Sequence, residues 1–122
     1  MTGQPTAATK RLIRARAHDR CERCGRLLDG WDGGSYHHRR LKGMGGDRRP
    51  ETQLASNILL LCGSGTTRCH GWVHAGGNRA AALEGGWLVS RWALPGEQPV
   101  VLALLGRRLL DDAGGTREPL AA

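Results

Sequence analysis

Residues 6–19 combine Ala, Arg, Lys and Leu with neither Gly nor Pro, a composition that predicts a helix. Its apolar stripe is weak: Leu12 and Ala15, with Ile13 beside them, among arginines elsewhere on the cylinder. So short and basic a helix is marginal alone and is expected to dock on a core. His18, near its end, is expected at the surface, where cations are favoured at a helix C-terminus. Leu27 and Leu28 form a short apolar piece, broken by Asp29-Gly30 and again by Gly33-Gly34. Residues 35–39 read as a strand. Residues 41–53 place Gly43, Gly45, Gly46 and Pro50 among Lys42, Arg48 and Arg49, and read as a basic loop. Ser56-Asn57 opens the run Ile58-Leu59-Leu60-Leu61, a buried strand leading into Cys62. Residues 63–67 are a flexible Gly/Ser/Thr turn. A helix over residues 70–75 puts His70 and His74 one turn apart on one face, and Gly76-Gly77 ends it. A second short helix over 78–84 has Asn78 as its N-cap. Beyond Gly86 the pattern alternates. Strands are expected at 87–92, at 100–103 after a Pro95-Gly96 turn, and at 107–110 before a turn at 112–115. These should form a small antiparallel sheet or hairpin packed on the core, with a tail after Pro119. There is no internal repeat.

The core implied by this pattern is thin. The 122 residues include no Phe, one Tyr and 19 Gly, which raises the expectation of a staple. The four cysteines come as a tight pair, Cys21-Glu22-Arg23-Cys24, and a looser pair, Cys62 and Cys69. Such spacing favours a zinc knuckle over free thiols or disulfides. No apolar h-region lies in residues 1–20, and no stretch approaches the roughly 20 apolar residues of a membrane span. A cytoplasmic, reducing compartment without membrane association is therefore expected. The net charge of +7 is unevenly placed. Residues 1–50 hold 12 Lys/Arg against 5 Asp/Glu, whereas residues 51–122 hold 6 of each. A basic field in that half suggests a polyanionic substrate, nucleic acid first. The organisation expected is a basic tail and helix (1–19), a core with the knuckle (20–85) and a small β appendage (86–122), all in one α+β domain.

Two constellations carry chemistry. Cys21, Cys24, Cys62 and Cys69 suit a tetrahedral structural Zn²⁺ with no open position. Gly25 lets the backbone turn so that amides can face the thiolates. Six residues separate Cys62 from Cys69, longer than the usual two. The second set is His37, His38, His70 and His74. His70 and His74 can grip one ion from a helix, and a third ligand from the strand would leave an open position, the mark of a catalytic site. His37 and His38 are adjacent, so on a strand they point to opposite faces and should have different tasks. One binds metal; the other meets substrate or water, and a neutral imidazole can accept a proton near pH 7. A metal ion beside such a base suits phosphodiester hydrolysis.

Taken in order, Cys21-x-x-Cys24, His37-His38, Asn57 ahead of an apolar run ending at Cys62, and Cys69-His70 resemble the HNH endonuclease family over about residues 20–75. The resemblance implies a ββα-metal (His-Me finger) hairpin and helix supported by a four-cysteine zinc. It implies His37 as metal ligand, His38 as general base, His70 as helix ligand, and Asn57 holding the hairpin through backbone hydrogen bonds. His74 matches the subgroup with His-x-x-x-His on the helix, as in colicin-type nucleases. The catalytic ion implied is one divalent metal: Mg²⁺, Mn²⁺, Ni²⁺ or Zn²⁺. Gly43-Met44-Gly45-Gly46 and Cys69-His70-Gly71-Trp72-Val73 look like small tailed-phage HNH proteins, which are associated with terminase and genome packaging. The expected partners are thus double-stranded DNA and the phage terminase large subunit, in the host cytoplasm. The long Cys62–Cys69 interval departs from the family pattern. Arg39, Arg40, Lys42, Arg48 and Arg49 are the expected phosphate contacts, giving salt-dependent affinity and little base readout. With no dedicated recognition helix, weak sequence preference or targeting by a partner is expected. The alternative is a non-catalytic zinc-ribbon module binding DNA or protein, which explains the cysteines and charge but not the ordered His37, His38, Asn57 and His70.

Overall fold

A computed structural model describes residues 4–41 and 47–120. The fold is α+β. Helix α1 (Ala7–Ala17) starts at Thr6, whose hydroxyl accepts from the Thr9 amide at 3.1 Å. It stops where His18 and Asp19 both adopt the left-handed conformation. Its inward face differs from the expected stripe: Ile13 and Ala17 are buried, while Leu12 and Ala15 are exposed. The i, i+4 pair faces the core because Arg16, on the same side, also turns inward. Its guanidinium forms a two-pronged pair with Glu22 (both contacts 2.8 Å) and reaches the carbonyls of Ala55 and Ile58.

Strands β1 (Ser35–His38) and β2 (Ile58–Leu61) pair antiparallel, with His37 opposite Leu59 and His38 opposite Ile58. All four β2 residues are fully buried, as a run of Ile and Leu without alternation requires. One edge of β2 is taken by β1. On the other, Glu22 closes the backbone: its amide donates to Leu60 O, and its carboxylate accepts from Leu60 N. Helix α2 (Arg68–His74) follows, then α3 (Arg79–Gly85). Asn78 occupies the N-cap position, but its side chain donates to Trp72 O rather than capping.

The C-terminal region holds a three-stranded antiparallel sheet, β3 (Val100–Leu102), β4 (Gly106–Leu110) and β5 (Thr116–Arg117). The expected strand at 87–92 does not form. Val89 makes one parallel bridge to Arg40, exchanging hydrogen bonds with Arg39 O and Leu41 N. The chain then turns at once, with Ala93 N donating to Ser90 O. Strand β5 is an element the hydropathy pattern did not predict. It is returned to β4 by Asp111, whose carboxylate accepts from the Ala113 and Gly115 amides. Among the described residues, no helix is long and apolar enough to cross a membrane.

Candidate functional site

The ligand atoms of Cys21, Cys24, Cys62 and Cys69 all lie within 4.8 Å of one another and could hold a metal ion. No disulfide forms, and Cys24 Sγ and Cys62 Sγ are 3.7 Å apart. Two turns bring the pairs together. At the first, the Cys24 amide donates to Cys21 Sγ, and Gly25 (φ 85°) donates to Cys21 O. At the second, Gly63 (φ 83°) leaves β2 and His70 N donates back to Cys62 O. Burial pushes the Cys62 thiol up, and Cys69 up to about 11. Four sulfurs this close carry their charge as thiolates when a dication sits among them. Arg23 donates to Cys69 Sγ at 3.4 Å while its guanidinium stacks 3.7 Å from the Trp72 ring centre and 4.6 Å from that of Trp87.

The second cluster is His37, His70 and His74, whose ligand nitrogens also fall within 4.8 Å of one another. Ring centroids are 5.2 Å apart for His37–His70 and His37–His74, and 4.9 Å for His70–His74. The hydrogen bonds select the tautomers. His37 Nε2 donates to the carbonyl of Trp87 at 2.6 Å, which leaves Nδ1 as the lone-pair nitrogen. That Nδ1 is buried with no hydrogen-bond partner among the described residues, an arrangement that costs free energy unless something accepts the lone pair. Ser35 spends its only hydroxyl proton on Gly63 O at 2.7 Å, so it accepts from His70 Nδ1 at 2.5 Å. His70 is therefore left with its lone pair on Nε2. Burial first, then neighbouring imidazoles, lowers His37 to about 3 and His70 to about 4. Both rings are neutral at pH 7, the form in which an imidazole can bind a metal ion. Three imidazoles fit a borderline transition-metal ion such as Zn²⁺ or Ni²⁺ better than Mg²⁺, which prefers oxygen.

His38 faces the other side of β1, as strand alternation requires. It lines a cavity of about 470 Å³ together with Tyr36, His70, His74 and Arg79. Its Nε2 donates to Gln53 Oε1 at 2.9 Å, so its basic nitrogen in this arrangement is Nδ1. Asn57 is fully buried and, among the described residues, its side chain bonds only backbone: Oδ1 accepts from Arg40 N and Nδ2 donates to Thr52 O, each at 2.9 Å. It ties the end of β1 to the turn that carries Gln53.

The arginines correct the sequence expectation. Arg39 is completely buried and donates to the carbonyls of Gly86, Ser56, Pro95 and Gln98. Arg40 is 2% exposed, bonded to Thr52 Oγ1 and paired with Asp47 and Glu51. Both guanidiniums are buried and aimed at internal acceptors, four hydrogen bonds each, so neither is presented to a phosphate. Arg49 reaches solvent but chelates Asp47 with contacts of 2.6 and 3.0 Å. Arg48 is exposed, and Lys42 lies outside the described residues, as does the Gly43–Gly46 segment. The sequence pointed to Asn57 but to none of the groups that bond the histidine rings directly, namely Ser35, Gln53 and the Trp87 carbonyl. Ser35 and Gln53 are common polar residues without a motif, and a backbone carbonyl 50 residues from His37 leaves no local signal.

Comparison of this chain with protein-family models, with curated proteins and with solved structures finds no match.

Proposed function

We propose that this chain is a metal-dependent HNH-type endonuclease that hydrolyses DNA phosphodiester bonds. The observation that carries the reading is the buried, partnerless Nδ1 of His37, grouped with the ring nitrogens of His70 and His74 beside the cavity that His38 lines. An unpaired lone pair in the interior is a cost that a structural histidine avoids and a metal ligand requires. A divalent ion bound there would polarise a phosphoryl oxygen and stabilise charge on the leaving oxygen. The protein groups do the rest. The cavity takes the phosphodiester. His38 accepts a proton from the water that attacks phosphorus, and its Gln53 partner holds the ring's orientation. The P–O bond to the leaving oxygen then breaks, that oxygen takes a proton from solvent, and the products are a phosphate monoester and a free hydroxyl. Asn57 keeps β1 and the Gln53 turn in register, which fixes where His38 stands. The cysteine centre holds the start of α2 in place, so His70 follows directly from Cys69. A phage origin and work alongside a terminase large subunit belong to the same proposal and rest on the sequence resemblance alone.

The test is cutting of supercoiled plasmid and of a gapped duplex by the zinc-loaded chain with added Mg²⁺, Mn²⁺, Ni²⁺ or Zn²⁺. His38→Ala should fold, keep its cysteine-bound metal and cut at least about 100-fold more slowly. Equal cutting by that variant overturns the base assignment, and no cutting by the parent with any of these ions overturns the nuclease reading.

A further inference from the structure

A second cavity of about 460 Å³ adjoins the one beside the histidines, and Leu41 and Arg79 line both. The second cavity is bounded by Leu83, Ser90, Arg91 and Trp92. Among the described residues neither lining contains an Asp or Glu, although the chain has 11. Arg79, exposed where the two meet, forms no side-chain hydrogen bond or ion pair among the described residues, unlike the buried or paired Arg39, Arg40 and Arg49. At the far end Trp92 is 80% exposed, and the Arg91 guanidinium lies 4.7 Å from its ring centre. The Ser90–Ala93 turn fixes the backbone that carries this ring: Ser90 Oγ accepts from Trp92 N, and Ser90 O accepts from Ala93 N. An indole 80% exposed with an arginine over its ring, at the end of a trough whose described lining holds no acid and has Arg79 unpaired, has the chemistry of a base-stacking platform.

We propose that this trough takes a nucleic-acid strand carrying an unpaired base, with Arg79 on a backbone phosphate next to the histidine centre and Trp92 stacked on the base. The inference rests on the nuclease reading for what lies at the trough's other end, and it narrows the substrate to DNA with single-stranded character: an end, a flap or a gap. A paired base hides its face in the duplex stack and offers nothing to Trp92. An unpaired base offers a π-face whatever its identity, in keeping with weak sequence preference.

The test uses the full zinc-loaded chain in a His38→Ala background, so that probes survive. Fluorescence anisotropy measures binding of a short single-stranded deoxyoligonucleotide and of the blunt duplex of the same sequence. The parent should prefer the single strand. Trp92→Ala should weaken single-strand binding about tenfold and leave the duplex nearly unchanged, and Trp92→Phe should retain most of the affinity. Arg79→Gln should weaken both probes and reduce their salt dependence. Trp31→Ala, which removes a fully exposed indole outside the trough, should change neither. Unaltered single-strand binding in Trp92→Ala, or a preference of the parent for the duplex, overturns the proposal. Cleavage of a gapped duplex by the His38-containing chain is read separately. Cleavage without a Trp92 effect sinks the platform alone. A Trp92 effect without cleavage sinks the nuclease reading and leaves the platform standing.

Discussion

Arg39 sits in the interior with its guanidinium divided among four backbone carbonyls contributed by residues 56, 86, 95 and 98. Burial, with Arg16 nearby, lowers it to about 9, yet it stays cationic at neutral pH because every partner can only accept. Arg39→Leu should therefore cost about 3 kcal/mol or more in urea unfolding, since the carbonyls lose their donor where water cannot replace it. A residue that contacted only phosphate would move stability by less than about 0.5 kcal/mol when replaced. An Arg-Arg pair in a basic half of the chain looks like surface because the carbonyls that would bury it come from distant segments. The histidines were easier to find. Imidazoles spaced i, i+4 on a helix and a doublet on a strand announce themselves by type and order. Which ring nitrogen each one keeps was not legible, because Ser35, Gln53 and Trp87 O set that choice through contacts formed only in the fold.

The strand–turn–helix unit from β2 to α2 shows what the long interval between Cys62 and Cys69 does. The insert folds back onto the helix: Thr67 O accepts from Gly71 N at 2.7 Å, and a Cβ on Gly71 would lie 2.4 Å from the Thr66 carbonyl carbon. Gly71 is thus required by close approach, in the middle of a helix where Ala is normally the better residue. Gly71→Ala should lower the melting temperature instead of raising it, and should loosen metal binding at Cys69 and His70, which lie between the pushed loop and Gly71. A thermal melt with a metal count checks both; a stabilised variant would mean that the loop moves aside freely. Local pattern reported these elements unevenly. The Ile58–Leu61 run and both short helices could be read from hydropathy and glycine placement. The 87–92 alternation misled, because Val89 finds one bridging partner and the chain turns away before a ladder can extend. In α1 the buried face was set by Arg16 and its carboxylate partner, a pair that no apolar stripe reveals.

Across the whole molecule the cysteine cluster joins the N-terminal third to the helix that carries His70 and His74. Burial of Cys62 and Cys69 makes their bare thiolates unfavourable, so an ion there would contribute directly to folding. Cys21→Ser, or a strong chelator on the parent chain, should lower the melting temperature by about 10 °C or more. Metal analysis of that variant should still find ion at the histidines when it is kept folded at low temperature. Unchanged melting would remove the stapling role. The sequence conveyed this plan through cysteine spacing, but it placed the appendage boundary at Gly86 without showing what crosses it. Trp87 O holds His37, and of the four carbonyls around Arg39 only that of Ser56 precedes Gly86. A fragment ending at Gly85 would retain each cysteine and histidine named above while stranding one cation and freeing one ring to spin. The shortest piece worth expressing therefore runs past Gln98, well downstream of His74.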